Sequence, residues 1–190
     1  MKGKLLLSVF ALLPVSLLGQ VNKAAVDAPP ELQRYEIFAG VDYSSANQVK
    51  SSSALIGGNV GADAKLKKWF GGTVDFGDYG ISATSNGLLK PTVTTFLAGP
   101  EFYIPSDRFT GFLHVMFGGA HTGGVSASPD ISFAYAVGGG VEYQLTKHIH
   151  ARFSGDGIWS SFVLQPNGAA GESPHLRVNA RASAGVAYRF

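Results

Sequence analysis

The sequence predicts an all-β protein: an eight-stranded antiparallel transmembrane β-barrel with up-and-down connections, preceded by a cleaved signal peptide. Three observations predict it. Apolar and polar residues alternate with a period of two from Arg34 onward, short and long connections take turns along the chain, and the N-terminus has the build of an export signal.

The export segment comes first. Lys2 and Lys4 precede an apolar run over residues 5–18, a charged n-region followed by an h-region. The run contains Pro14 and is shorter than the ~20 residues a spanning helix needs. Cleavage is expected within residues 19–25, although no A-x-A pattern marks the site. With no cysteine in the chain, a lipoprotein anchor, a disulfide framework and a thiolate metal site are excluded. The expected organisation is a signal peptide and short leader over residues 1–25, an N-terminal periplasmic segment over 26–33, and a barrel over 34–190. The 25 glycines, 13 phenylalanines and 7 tyrosines suit strands that bend and rings that gather at membrane interfaces. A net charge of +2, with the basic residues dispersed, gives no nucleic-acid footprint.

The strand pattern is plainest at the end of the chain. Leu176, Val178, Ala180, Ala182, Ala184, Val186, Tyr188 and Phe190 alternate with Arg177, Asn179, Arg181, Ser183, Gly185, Ala187 and Arg189. A helix would scatter the two sets around its circumference; a strand puts each on one face. The first strand sets Tyr35, Ile37, Ala39, Val41 and Tyr43 against Glu36, Gly40 and Asp42, and the second sets Val60, Ala62 and Ala64 against Asn59, Asp63 and Lys65. In the third, Val74 and Phe76 oppose Thr73 and Asp75. In the fourth, Phe96, Ala98 and Phe102 oppose Gly99, Glu101 and Tyr103, and Pro100 should force a bulge or local distortion. Leu113, Val115 and Phe117 oppose His114 and Met116 in the fifth strand. Phe133, Tyr135, Val137, Val141 and Tyr143 oppose Ala134, Gly138, Gly140 and Glu142 in the sixth. Ile149, Ala151, Phe153 and Trp159 oppose His150, Arg152, Ser154 and Asp156 in the seventh.

Short connections are expected at Lys67-Lys68-Trp69, Pro105-Ser106-Asp107-Arg108 and Thr146-Lys147-His148. Long ones, rich in Ser, Gly, Asn and Pro, are expected over residues 44–54, 80–91, 121–130 and 163–174. Strict alternation is what a transmembrane barrel shows, with short periplasmic turns and longer extracellular loops. Tyr35, Trp69, Phe70, Phe102, Phe109, Tyr143, Tyr188 and Phe190 fall near the short-turn ends. Tyr43, Phe76, Tyr79, Phe96, Phe133, Trp159 and Phe162 fall near the long-loop ends, giving two aromatic belts.

With the final strand in view, residues 34–190 resemble the OmpA/OmpX-like small outer-membrane barrels. The ending Gly185-Val186-Ala187-Tyr188-Arg189-Phe190 is similar to the C-terminal signal of that group. The resemblance implies that Gly185, Tyr188 and Phe190 are read by the barrel assembly machinery. It also implies residence in the outer membrane of a Gram-negative-type bacterium. The peptidoglycan-binding domain that follows the OmpA barrel has no counterpart after Phe190 in this sequence, so that activity is not carried over.

The inward set, Glu36, Asp63, Lys65, Asp75, Glu101, His114, Glu142, Arg152, Asp156, Arg177 and Arg181, mixes both signs of charge. An eight-stranded barrel is just wide enough for side chains to fill, so these charges must pair into a plug. Arg152, Arg177 and Arg181 are expected to anchor it against Asp156 and neighbouring carboxylates, with His114 a satisfied interior group. A lipid-modifying enzyme would need a Ser, His and acid set at the loop rim, where His121, Glu172, Ser173 and His175 show no recognisable spacing. His148 and His150 lack a third metal ligand at useful spacing. Gly138-Gly139-Gly140 and Gly118-Gly119 are not phosphate loops, since no helix follows; they allow strand bending or close packing. The resulting expectation is a monomeric, non-enzymatic scaffold without cofactor or metal. Its partners are outer-membrane lipid and an unidentified surface ligand of four loops. A narrow solute channel ranks second and a soluble lipocalin-type binder third.

Overall fold

The computed structural model describes residues 34–46, 53–81, 90–125, 130–161 and 176–190. These form β1 (Tyr35–Ala46), β2 (Ser53–Lys67), β3 (Phe70–Ile81), β4 (Lys90–Pro105), β5 (Phe109–Val125), β6 (Asp130–Gln144), β7 (Ile149–Ser160) and β8 (Arg177–Arg189). Every strand pairs antiparallel with its sequence neighbours, and β1 also pairs with β8, closing the sheet. Closure leaves no edge of unpaired backbone groups, which is what allows strands to cross hydrocarbon. The expected signal peptide and the segment over residues 26–33 lie outside the described residues.

Register follows the side-chain alternation. Across β1 and β2, Glu36 faces Asp63 and Ile37 faces Ala62; across β1 and β8, Glu36 faces Arg189 and Ile37 faces Tyr188. Polar residues thus stack on polar neighbours inside, and apolar on apolar outside. At Pro100 no residue is inserted, because Ala98 faces Phe117 and Glu101 faces His114 in one continuous register. The expected distortion is confined to the missing rungs toward β5 at Gly99 and Pro100, as a residue without an N–H requires. The register does shift between Lys65 and Lys67, just before the first short turn.

The outer face is apolar. Ile37, Val60, Phe96, Leu113, Phe117, Val137 and Phe153 are all exposed there, a surface that would aggregate in water and is matched to lipid. At the short-turn end Trp69, Phe70 and Phe102 cluster with centroids 5.4–6.3 Å apart, Phe109 meets Tyr143 at 5.0 Å, and Tyr188 meets Phe190 edge-on at 5.2 Å. At the long-loop end Tyr135 stacks on Trp159 at 5.2 Å and contacts Phe133 at 6.5 Å. Tyr79 does not join this belt: it sits on the inward parity of β3 and is only 3% exposed. Phe162 lies outside the described residues.

The lumen is filled in two different ways. Charged and hydrogen-bonding groups occupy it from the short turns to mid-barrel. Toward the long loops it holds an apolar cluster of Leu55, Tyr79, Val93, Leu97, Met116, Ala120, Ala134, Ala136 and Ile158. The expected plug of charges is therefore only half of the filling.

Candidate functional site

The polar half is organised around two arginines. Arg152, on the inward face of β7, donates through Nη1 to Glu142 (2.6 Å), Asp63 (2.7 Å) and Glu36 (3.3 Å), and through Nη2 to Glu101 (3.2 Å). Its guanidinium also lies 4.3 Å from the centroid of Phe38 and 4.0 Å from that of Phe112. The rings cover its faces while carboxylates take its edges, so the pairing geometry offsets the desolvation cost of burying the charges.

Both rings are seated by glycines across the strand pair. Phe38 faces Gly61, and Phe112 faces Gly140. A Cβ at either glycine would overlap the ring opposite. The glycine run of β6 is thus a packing device, with Gly138 likewise making room for Asp156.

Arg189 extends the cluster toward the short-turn rim, donating to Glu36 and Glu142 at 2.7 Å each. Lys65 lies 3.8 Å from Glu36, and the Tyr103 hydroxyl donates to Glu101 at 3.0 Å. Deeper in the lumen Arg181 donates to Asp156 and Asp75, both at 2.7 Å, and to the Tyr79 hydroxyl at 2.9 Å. His114 bridges the two clusters, with Nε2 2.5 Å from Asp156 and Nδ1 3.9 Å from Glu101. Asn59 donates to Asp75 at 2.7 Å.

Of the expected interior residues, Glu36, Asp63, Lys65, Asp75, Glu101, His114, Glu142, Arg152, Asp156 and Arg181 are all buried inside. Arg177 is not: it opens β8 at the loop-side rim and is exposed. A residue on the inward parity reaches the lumen only where the strand lies within it. Sequence reasoning missed Arg189, Tyr103, Tyr79 and Asn59 as network members, although each has the inward parity of its strand. It also missed the rings of Phe38 and Phe112, which have the inward parity of β1 and β5 but carry no charge to mark them.

Oxygens of Glu36, Asp63 and Glu142 lie within 4.8 Å of one another, a spacing that could hold a metal ion. Arg152 Nη1 bonds to all three, so a guanidinium fills the place a cation would take. His148 and His150 do not act as a pair. His148 Nδ1 bonds to the Arg189 carbonyl at 3.0 Å while its ring stacks on Tyr188; His150 is buried inside. His121 is exposed on β5, whereas Glu172, Ser173 and His175 lie outside the described residues.

Among the described residues, small voids lie in the lumen. One of ≈ 10 Å³ is lined by residues including Asn59, Asp75, His114, Arg152 and Arg181; one of ≈ 20 Å³ is lined by residues including Leu55, Tyr79, Val93 and Ile158. Each is about the space one water needs. Neither can hold an organic ligand.

No family model and no curated protein matches the sequence. Solved structures do. Neisserial surface protein A superposes with a TM-score of 0.63 at 14% identity, covering 82% of this chain and 97% of that one. The chain has the fold of the small outer-membrane barrels. Ail, the attachment invasion locus protein of Yersinia pestis, superposes with a TM-score of 0.53 at 15% identity, covering 84% of this chain and all (100%) of that one. A de novo designed transmembrane β-barrel reaches a TM-score of 0.50 at 12% identity, with 86% and 98% covered. At these identities the likeness is one of architecture, the eight-stranded membrane barrel already implied by the OmpA/OmpX-like resemblance.

Proposed function

We propose that this chain is an exported, non-enzymatic outer-membrane protein whose barrel is a closed, rigid scaffold displaying four surface loops. The observation that carries this reading is the Arg152 cluster. One guanidinium ties carboxylates from β1, β2, β4 and β6 across the lumen, with phenylalanine rings filling the space around it. Among the described residues the lumen voids are of about one water each, too small for a substrate. The functional surface is then left to the long connections, serving envelope integrity or contact with a surface ligand. The first three are shorter than the sequence suggests, because the strands run on to Ala46, Ile81 and Val125 and resume at Ser53, Lys90 and Asp130; the fourth joins Ser160 to Arg177. Tyr188 and Phe190 point outward at the short-turn end of β8, while Gly185 packs inward against the backbone of Ala39 and Gly40. In this reading Gly185, Tyr188 and Phe190 form the signal taken up by the assembly machinery, and the barrel works as a monomer.

The test is reconstitution of the full chain into planar bilayers, after a heat-dependent gel mobility shift has verified folding. The closed-scaffold reading expects no unitary conductance above the lipid baseline. Stable single-channel steps from the wild-type protein would establish the narrow-channel reading in its place.

A further inference from the structure

We infer that the periplasmic end of the β8–β1–β2–β3 face holds an anionic glycerophospholipid, its headgroup on Arg34, Lys67 and Lys68 and one acyl chain in a groove above them. This rests on the membrane-barrel reading, with the short turns in the periplasm. Two independent features converge on that face.

The first is charge. The short turns carry Lys67, Lys68, Arg108 and Lys147, all exposed, against one described acid at that rim, Asp107. Arg34 belongs with the first turn, because its carbonyl accepts the Lys65 N–H at 2.7 Å, two residues before Lys67. Lys67 lies 5.6 Å from the Trp69 ring, and that ring belongs to the interfacial aromatic cluster. The cation is therefore held at headgroup depth. The loop-side rim, in contrast, mixes the signs evenly, with Lys50, Lys90 and Arg177 against Asp78, Asp130 and Glu172. An anionic membrane surface attracts such a basic rim, with an effect of order fivefold per Lys or Arg close to it.

The second is shape. On the lipid-facing side of the same strands is a groove of ≈ 540 Å³ lined by Ile37, Ala39, Val60, Ala62, Val74, Val186 and Tyr188 among others. Ala39 and Ala62 form its floor between larger neighbours, in the register that sets Ile37 beside Ala62 and Tyr188. Ala62 lies five residues from Lys67 along β2. At ~3.3 Å per residue and a strand tilt of about 40° that is roughly 12 Å along the membrane normal, within one hydrocarbon leaflet of about 15 Å. A lipid whose phosphate sits at Lys67 has its acyl chain at the level of this groove.

The two tryptophans provide a direct readout, since Trp69 lies at the basic rim and Trp159 at the opposite end. The Trp159→Phe protein, reconstituted into phosphatidylcholine vesicles, keeps Trp69 as its sole emitter. Phosphatidylglycerol brominated near the headgroup end of its chains is then titrated in, alongside equally brominated phosphatidylcholine. At low salt, half-maximal quenching by the anionic lipid is expected at about fivefold or more lower mole fraction. Arg34→Gln/Lys67→Gln/Lys68→Gln should abolish that preference, and high salt should weaken it. Ala62→Leu, which fills the groove floor, should reduce the preference while leaving quenching by phosphatidylcholine unchanged. Equal quenching by both lipids, or a preference that survives the triple substitution, overturns the headgroup assignment; an undiminished preference in Ala62→Leu overturns the acyl groove. If the chain gives no heat-modifiable β-form in vesicles, the membrane-barrel reading itself fails instead.

Discussion

From the short turns to mid-barrel the lumen is filled by arginines and carboxylates; toward the long loops Leu55, Val93, Leu97, Met116 and Ile158 cluster there, beside small uncharged polar groups such as Ser44, Thr95 and Thr122. The two fillings do the same steric job by different physics. The apolar half gains from contact and from leaving water, and each side chain there can be trimmed independently. The charged half works only as a set, because removing one partner strands the rest in a low-dielectric space. It also carries an acid surplus: Glu36, Asp63, Glu101 and Glu142 surround Arg152, Arg189 and Lys65. Cations are the scarce members there, so the halves should respond to substitution in opposite patterns.

The largest effect is expected for Arg152→Met. It leaves four carboxylates around an uncharged side chain and should lower stability by about 4 kcal/mol, read from urea unfolding of the reconstituted barrel. It should also introduce conductance steps in bilayers, since the lumen at that level loses its crossbar. Leu97→Ala, in the apolar half, should lower stability by about 3 kcal/mol through the cavity it leaves, with no conductance. Equal conductance in both variants would show that the halves seal the barrel together rather than by the polar cluster. Gly140→Ala should push on the Phe153 carbonyl of β7 as well as the Phe112 ring and lower stability by roughly 1–3 kcal/mol, measured the same way. Smallest of all, Asp63→Asn should change stability by less than about 1 kcal/mol, because it removes one charge from the surplus and keeps an acceptor for Arg152. A loss as large as that of Arg152→Met would mean that no acid in the set is surplus.

The barrel was legible in the sequence because a period of two leaves little freedom once one face must meet lipid. Ile37, Val60, Leu113 and Phe153 had to point out, and Glu36, Asp63, His114 and Arg152 had to point in. What was not legible is how inward residues meet across the lumen. Arg152 reaches Glu36, 116 positions earlier, and Glu101, 51 positions earlier, through a closure that no local pattern encodes. Phe38 and Phe112 were hidden for a different reason. They carry no charge, and only parity, together with a facing glycine, marks them as interior. Tyr79 was misassigned because an aromatic in a membrane strand reads as a belt residue. Arg177 was misassigned because parity carries no depth.

The Glu36–Arg189 pair spans 153 positions and lies inside the β1–β8 seam, the last junction a growing sheet can make. Contacts of such separation are the slowest to form, since the chain ends must meet before they stabilise anything. Until β8 docks, Glu36 and Glu142 lack Arg189, and the acid surplus beneath Arg152 is at its worst. A barrel left open at the seam is thus held apart by its own lumen, and zipping β1 to β8 halves the surplus by adding Arg189. The seam works as a latch: it cannot rest ajar, and insertion ends when it shuts.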